Sequence, residues 1–318
     1  MIEVKNLCKE YHVVKKEKGI KGALKGLVSK ESQSIPAVKN LNFSIESGEI
    51  VGFIGPNGAG KSTTIKMMSG ILTPSGGEVL IDGKDITKHR KEVVGNIGVV
   101  FGQRSQLNWD LRLGESFELL RHIYQVDKKQ YEQMLDTMDE ILGIKELLDK
   151  PVRQMSLGQR VKGDLTAAML HSPKVLFLDE PTIGLDVGSK YALRKFVKEI
   201  NRKNGTTIIL TTHDLGDIQQ LCERIMIINH GELVEDGNLS EIVDRIAPYK
   251  TLIVQYFDEA IPSSEHCELI SHEGNVARYR FGKNETTAAR LIEELSGKAM
   301  IQDISVEETG IEEILSVL

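Results

Sequence analysis

The sequence of 318 residues is poor in cysteine and in aromatic residues, and it has no long apolar run. Its three cysteines, Cys8, Cys222 and Cys267, lie far apart and form no CxxC pair. This spacing argues against a disulfide framework or a zinc ribbon and fits a reducing cytosol. No stretch approaches the roughly 18 apolar residues that span a bilayer, and the N-terminus has no apolar signal core. If the protein works at a membrane, we expect another chain to supply the spans.

Hydrophobic residues make up 40% and charged residues 27% of the chain, so a buried core is readily supported and global disorder is excluded. The net charge is −6, which does not suggest a nucleic-acid partner. Residues 241–318 carry 15 acidic and 7 basic side chains, a net charge of −8, and the rest of the chain is net +2. At about 150 residues per domain, the length predicts two domains.

The patterns before and after residue 240 differ. Up to that point, short apolar segments that suit strands alternate with helical patterns, which is typical of an α/β domain. Beyond it, segments 251–257, 275–281 and 300–306 suit strands, and segments 286–295 and 310–318 suit helices. We therefore predict an α/β domain over residues 1–240 and a small α+β domain over residues 241–318.

Residues 55–62 read GPNGAGKS, which fits the phosphate-loop pattern GxxxxGK[ST] in full. The pattern follows a strand-like segment and precedes a helical one, as a phosphate loop requires. Glycines let backbone N–H groups approach phosphate oxygens, and the helix N-terminus adds the positive end of its dipole. Lys61 is expected to reach the β- and γ-phosphates, and the Ser62 hydroxyl to bind Mg²⁺. The predicted nucleotide-binding residues here are Gly55, Pro56, Asn57, Gly58, Ala59, Gly60, Lys61, Ser62 and Thr63.

The apolar segment 175–178 ends in two carboxylates, Asp179 and Glu180. Asp179, at the end of a buried strand, is placed to hold Mg²⁺. Glu180 is placed to orient and polarise an attacking water molecule. A strand that ends in Asp-Glu is by itself more often an ordinary strand end. Together with the phosphate loop, however, it predicts nucleotide hydrolysis rather than binding alone.

Further motifs follow in a fixed order. Gln103 ends the segment GVVFGQ, residues 155–160 read MSLGQR, residues 184–186 read GLD, and His213 lies in TTHD. In this order they resemble the Q-loop, signature motif, D-loop and switch histidine of ABC (ATP-binding cassette) ATPases. Tyr11 resembles the aromatic residue that stacks on adenine in that family. The resemblance covers roughly residues 1–235, and its six ordered motifs make it specific.

The resemblance implies a P-loop NTPase fold with an antiparallel β subdomain and a helical subdomain over residues 104–170, followed by the small α+β domain. It implies ATP and Mg²⁺ as cofactors, and two cassettes that meet head to tail with each ATP between them. Glu180 would activate water, His213 would steady the γ-phosphate and Gln103 would sense it. The implied catalytic residues are thus Glu180, His213, Gln103 and Lys61. The implied metal ligands are Ser62, Gln103 and Asp179, and the further ATP contacts are Tyr11, Ser156, Gly158, Gln159 and Asp186.

Two departures from the family pattern stand out. The usual signature is LSGGQ, and here Met155 replaces the leucine and Leu157 the first glycine. Phosphate contact through Ser156 and Gly158 is expected to survive. The Q-loop carries one extra residue, Gly102, so Gln103 is the preferred Q-loop glutamine and Gln106 the alternative.

Each motif residue also has an ordinary structural interpretation. Tyr11 would then be a strand-end aromatic residue and His213 a surface histidine. Asp186 would only cap the helix that follows it, a role compatible with a dimer contact. In ABC ATPases the region after the Q-loop faces the membrane partner, so the resemblance implies that Trp109, the sole tryptophan, contacts that partner, and the alternative is that it packs in the core.

Residues 13–35 form a basic insertion with six lysines between Val13 and Lys30. Apolar residues at helical spacing suggest an amphipathic segment that lies against the inner leaflet or against a permease. Such an insertion resembles one in ABC ATPases of polysaccharide exporters. The alternative is a solvated loop whose lysines serve solubility.

The segments FGQRSQLNWDL and MSLGQR resemble those of ATPases that pair with separate export permeases, and the single cassette, the appended domain and the absence of spans fit such a subunit. We therefore expect a peripheral subunit at the cytoplasmic face of the cell membrane, in a homodimer or heterodimer, that drives export of a drug, lipid, peptide or polysaccharide. The C-terminal domain would regulate or stabilise the dimer. The alternatives are an importer ATPase and a soluble ABC ATPase that acts on ribosomes or DNA.

Overall fold

The structure, a computed structural model, describes residues 1–14, 32–102, 104–212, 214–246, 248–259 and 261–308. It divides into two compact units, Met1–Asp236 and Gly237–Leu318. No helix within the described ranges is both long enough and apolar enough to cross a bilayer. The core of the basic insertion, the helix predicted over 310–318, Gln103 and His213 all lie outside the described residues.

An antiparallel sheet with the strand order β2-β1-β4-β5 belongs to the first unit. Its strands are β1 (Ile2–Val14), β2 (Ser32–Ile45), β4 (Gly76–Ile81) and β5 (Lys84–Asp85). Ile2 and Val4 in β1 are buried while Glu3 and Lys5 are not, which follows the period of two that a strand with one covered face requires.

Strands β1 and β2 are longer than the sequence predicts. Alternating residues in the sequence predict strands over residues 1–11 and 37–46 and a loop over residues 31–36, whereas the structure pairs Tyr11 with Ile35 and Val14 with Ser32. The loop expected over residues 31–36 is therefore wrong from Ser32 onward. Pro36 suggested the loop, but β2 is an edge strand, and an edge tolerates a residue without an N–H donor.

The second sheet has the strand order β10-β9-β3-β8-β7-β6. Its strands are β3 (Ile50–Ile54), β6 (Ile97–Phe101), β7 (Val175–Asp179), β8 (Thr207–Thr211), β9 (Arg224–Asn229) and β10 (Glu232–Asn238). Strands β3, β6, β7, β8 and β9 pair in parallel. All five residues of β7 and of β8 are buried, which explains their near-continuous apolar sequences. The carboxyl ends of parallel strands meet at one edge of the sheet, and the candidate site lies there.

Helices α1 (Lys61–Met68), α2 (Arg90–Val94), α6 (Val187–Asn204) and α7 (Leu215–Leu221) accompany this sheet. Between β6 and β7 the chain forms α3 (Leu113–Ile123), α4 (Lys128–Leu142) and α5 (Leu157–Met169), with short 3-10 turns at Lys145–Leu147 and Val152–Gln154. Asp127 caps the start of α4 and Gly143, at φ 63°, ends it. These three helices form the helical subdomain of the predicted fold, and they lie within the range 104–170 that was given to it.

The second unit contains helix α8 (Leu239–Ile246) and an antiparallel sheet with the order β12-β13-β11-β14. The strands are β11 (Tyr249–Tyr256), β12 (Glu268–Glu273), β13 (Val276–Gly282) and β14 (Ile301–Glu308), with α9 (Ala288–Ser296) between the last two. Leu291 and Leu295 of α9 pack against sheet residues such as Leu252 and Phe281. The predicted α+β unit is confirmed. Strand β12 is absent from the prediction because all its residues are exposed and give no alternation.

Candidate functional site

The phosphate loop runs from the end of β3 to the start of α1 through glycines that no other residue could replace without strain. Gly55 and Gly60 have φ of 153° and 107°. A Cβ at Gly55 would lie 2.0 Å from the Ile228 carbonyl oxygen, and one at Gly60 would lie 2.6 Å from that of Ala37. At Gly58, where φ is 81°, an added Cβ would meet no other group within 4 Å. The loop is thus anchored at both ends and open at its middle, as a phosphate cradle requires.

Lys61, the first residue of α1, bends back into this loop. Its Nζ donates to the carbonyl oxygens of Gly55 at 2.6 Å and Pro56 at 3.1 Å. The side chain is buried, and burial lowers the pKa of the ammonium group, although the carboxylates of Glu180 and Asp179 act to raise it. A cation held inside the loop fits the expectation that Lys61 reaches the β- and γ-phosphates.

Ser62 and Asp179 meet at the edge of the sheet. The Ser62 Oγ donates to Asp179 Oδ1 at 3.0 Å, and the Thr211 Oγ1 donates to the same oxygen at 2.8 Å. Hydroxyl and carboxylate oxygens are ligands that Mg²⁺ prefers, so Ser62 and Asp179 fit the predicted metal ligands. Thr211 is a site residue that sequence reasoning missed. The feature that could have revealed Thr211 is its strand register, because it ends β8 directly opposite Asp179 in β7.

Glu180 follows Asp179 with the uncommon φ of 55°. Its backbone N–H donates to the carbonyl oxygen of Thr211 at 3.1 Å and to Oγ1 of Thr211 at 3.0 Å. Glu180 lines a cavity of about 450 Å³ together with Ser62, Asp179, Gly102 and Arg104, among other residues. Two of the predicted metal ligands, Ser62 and Asp179, therefore share one cavity at the end of the phosphate loop with the predicted base, Glu180.

Gly102 lies where β6 comes closest to Glu180. Its N–H donates to the Asp179 carbonyl oxygen at 2.8 Å, and a Cβ at this position would lie 1.9 Å from the Glu180 carbonyl oxygen. This contact accounts for the extra Q-loop glycine. Gln106, the alternative Q-loop glutamine, is bonded to helix α5. Its backbone N–H and its side-chain amide both donate to Asp164. The predicted roles of Gln103 and His213 concern residues that are not described.

The signature motif begins helix α5. Ser156 is the N-cap residue, accepting from the Gln159 N–H at 3.2 Å, and the Gln159 side chain returns the bond to the Ser156 N–H. This reciprocal capping box fixes both predicted ATP contacts at the helix start. A Cβ at Gly158 would lie 2.1 Å from Ser189 Oγ, so this glycine permits close contact with the start of α6.

Asp186 caps α6, accepting from the N–H and the Oγ of Ser189, both at 2.9 Å. The predicted capping role of Asp186 is confirmed, and its dimer contact stays a prediction. Leu157, which replaces a family glycine, lies against the D-loop, because a Cβ at Gly184 would lie 3.1 Å from Leu157 Cδ2. The leucine that replaces the family glycine therefore brings the signature motif close to the D-loop of the same chain.

Two aromatic residues of the sequence prediction are exposed. Tyr11 is 41% exposed on β1, with Lys9 Nζ 5.7 Å from its ring centroid, and stacking on adenine stays a prediction. Trp109 is 51% exposed, and the Arg160 guanidinium lies 5.1 Å from its ring centroid. The core-packing alternative for Trp109 is therefore wrong.

Comparison with known proteins identifies the family to which this arrangement belongs. The family model described as ABC transporter matches residues 38–183. The ABC transporter ATP-binding protein NatA of Bacillus subtilis (strain 168) is 31% identical over 210 residues, which cover 66% of this chain and 85% of that protein. The chain belongs to the ABC transporter ATPase family.

Other ABC proteins match more of the chain or share its fold. The methionine import ATP-binding protein MetN of Carboxydothermus hydrogenoformans is 30% identical over 294 residues, covering 90% of this chain and 83% of MetN. A dimeric post-hydrolysis structure of the cassette MJ0796 bound to ADP and Pi matches with a TM-score of 0.62 at 26% identity, covering 75% of this chain and 99% of that one. The structure of cbiO1 from Clostridium perfringens, part of the transporter complex cbiONQ, matches with a TM-score of 0.61 at 27% identity. The match covers 77% of this chain and 93% of that one.

As an ABC ATPase, the chain binds and hydrolyses ATP with Mg²⁺. The cassette MJ0796 is dimeric in its structure, and cbiO1 is part of a transporter complex. That the phosphate loop, the pair Ser62 and Asp179, and Glu180 carry out the hydrolysis stays a prediction. That the capped start of α5 and the D-loop face ATP in a dimer stays a prediction as well.

Proposed function

We propose that the chain is the energy-coupling subunit of an ABC exporter and works as a dimer on separate permease chains at the cytoplasmic face of the membrane. The observation that carries the proposal is the cavity in which Ser62, Asp179 and Glu180 meet at the end of the phosphate loop. Export is supported by the segments FGQRSQLNWDL and MSLGQR, which resemble those of ATPases paired with export permeases. Import is the second candidate, because the match to the methionine importer ATPase extends into the second unit.

In the proposed reaction, Lys61 exchanges its carbonyl partners for the β- and γ-phosphate oxygens of ATP. Magnesium held by Ser62 and Asp179 would neutralise charge on those oxygens. Glu180, fixed through its backbone by Thr211, takes a proton from the attacking water. Gln103 and His213 sense and steady the γ-phosphate. Ser156, Gly158 and Asp186 of the second subunit close the site, and opening it again moves the permeases.

Co-purification tests the function. The tagged chain is extracted in mild detergent with MgATP, and the proteins that accompany it are identified. Glu180→Gln, which would hold ATP without turnover, serves as the trapped form, and Lys61→Ala, which would bind ATP poorly, as the matched control. We expect multi-span permeases in a two-to-two ratio, with sequences that narrow the substrate class. Ribosomes, DNA or no partner would contradict the transporter function. In inside-out vesicles, ATP-driven uptake into the lumen indicates export, and ATP-driven release indicates import.

The basic insertion is proposed to contact the inner leaflet or the permease. Because Val14 and Ser32 are paired across the hairpin, residues 15–31 can be replaced by Asn-Gly, a two-residue turn that suits paired strands. We expect this variant to keep its ATPase activity and to lose membrane association. Unchanged association and transport would leave only the solvated-loop interpretation. The acidic second unit is proposed to regulate or stabilise the dimer.

A further inference from the structure

Asp164 is a buried carboxylate that the hydrolytic chemistry does not use. It lies near the middle of α5, the helix that begins with the signature motif, and only 6% of it is exposed. Its Oδ1 accepts from the Ser105 Oγ at 2.9 Å and from the Gln106 N–H at 3.0 Å, and its carbonyl oxygen accepts from Gln106 Nε2 at 3.1 Å. The carboxylate therefore holds a short loop, residues 104–107, against the helix.

The loop held by Asp164 starts at the cavity that Ser62, Asp179 and Glu180 line, which we call the hydrolytic cavity. Gly102 and Arg104 line that cavity, and the Gly102 N–H is bonded to the Asp179 carbonyl oxygen. The Leu107 N–H donates to Ser105 Oγ at 3.1 Å, so the loop is also tied to itself. One end of the loop, at Arg104, thus lines the cavity that the predicted base also lines, and the other end contacts α5.

Three residues on one face of α5 pack against residues 105–109, the segment that follows the hydrolytic cavity. Arg160, Gly163 and Asp164 are spaced three and four residues apart, which places them on the same side of a helix. A Cβ at Gly163 would lie 2.9 Å from Leu107 Cδ1, so the missing side chain permits close packing. Arg160 stacks on Trp109 one turn closer to Ser156.

A carboxylate is a costly way to fill this position. Burial raises the pKa of Asp164 to about 6, although the bonds from Ser105 and Gln106 and the charge of Arg160 all act to lower it. A buried apolar residue would carry no such penalty. The bonds to the loop are what the carboxylate provides in return.

We propose that Asp164 is a positioning residue for ATP hydrolysis. It holds loop 104–107 against α5 and so fixes the position of the signature motif relative to the hydrolytic cavity of its own chain. In the dimer proposed above, on which this inference rests, that motif closes the ATP site of the other subunit. Asp164 therefore acts on turnover at closed sites and not on the first binding of ATP.

The test compares turnover with ATP affinity in the purified full-length chain. Asp164→Ala removes the acceptor from the helix side, and Ser105→Ala removes one donor from the loop side. We expect Asp164→Ala to lower kcat at least fivefold with KM for MgATP within twofold of wild type, and Ser105→Ala to lower kcat two- to fivefold. Because both changes break the same contact, the double variant falls no further than Asp164→Ala.

Thr166→Val is the matched control. Thr166 is buried in the same helix, and among the described residues its hydroxyl bonds only to the Lys162 carbonyl oxygen, within α5. This variant should keep kcat within twofold, whatever its melting temperature. Hydrogen exchange gives a second readout, because the amides of Gln106 and Leu107 should exchange faster in Asp164→Ala.

Unchanged kcat in Asp164→Ala, a parallel loss of kcat and ATP affinity, or losses that multiply in the double variant would overturn the proposal. If Asp164→Ala does not fold, Ser105→Ala decides alone, since Ser105 is an exposed loop residue, and an unchanged kcat there overturns it equally. These readouts need no permease, so a failure of the transporter proposal would appear separately, in the co-purification.

Discussion

Replacing Gly102 by alanine tests the geometry of the hydrolytic cavity with one added carbon atom. That atom would lie 1.9 Å from the Glu180 carbonyl oxygen and 2.8 Å from its carbonyl carbon. Both are backbone atoms and cannot rotate away as a flexible side chain would. Since uncrowded heavy atoms lie about 3.5 Å apart or more, the ends of β6 and β7 would have to separate by roughly 1.5 Å.

The size of the effect follows from this displacement. Overpacking a close contact costs about 1–3 kcal/mol of unfolding free energy. A shift of about 1 Å in a catalytic group lowers turnover by up to about 100-fold. Glu180 is attached directly to the displaced carbonyl group, so we expect kcat to fall about 10- to 100-fold. Affinity for ATP should change less, because the phosphate loop lies at the end of a different strand, β3.

The assay is steady-state ATP hydrolysis with a parallel thermal unfolding curve. Gly95→Ala is the matched control, since a Cβ there has no neighbour closer than 3.5 Å and φ is −62°. This control should keep full activity and equal or slightly higher stability. If Gly102→Ala keeps kcat within twofold and melts at the wild-type temperature, the close approach of Gly102 to Glu180 is wrong.

Further predictions concern single side chains. Glu180→Gln should bind ATP and hydrolyse it at less than a tenth of the wild-type rate, and a higher residual rate in a turnover assay would exclude Glu180 as the base. Leu157→Gly should lower the unfolding free energy by about 1 kcal/mol, because glycine is the poorer helix former, and keep kcat within threefold; a tenfold change would show that the backbone at this position contacts ATP. Asp164→Asn should be the more stable form at neutral pH. The raised pKa means that ionisation costs the wild-type fold about 3 kcal/mol above pH 7 and nothing below pH 3.8. The difference in melting temperature should therefore grow from pH 4 to pH 7, and a constant difference would contradict the raised pKa.

The sequence predicts the continuous parts of the site well, because each is a short run with its own local requirement. The phosphate loop needs its glycines and Lys61 in one stretch, and a buried strand ending in Asp179 and Glu180 needs only one pattern. The C-terminal α+β unit follows from periodicity in the same way, whereas the helical subdomain is implied by the family resemblance.

The parts that the sequence did not predict depend on contacts between distant segments. Thr211 joins the site through its register with Asp179, and no local pattern marks that pairing. Gly102 is explained only by the approach of a neighbouring strand. The extension of β1 to Val14 depends on its cross-strand partner Ser32, which follows residues 15–31 in the sequence.

The most direct test of the central claim is the mass of the Glu180→Gln chain in solution with and without MgATP, measured by light scattering. ATP held between the phosphate loop of one chain and the signature motif of another predicts a particle of twice 35.4 kDa with MgATP and a monomer with ADP. Adding Ser156→Arg, which would place a bulky cation at the signature motif, should return the protein to a monomer although ATP still binds. If the Glu180→Gln single variant stays a monomer with ATP bound, the account is contradicted. A dimer whose mass changes neither with the nucleotide nor with Ser156→Arg would contradict it as well.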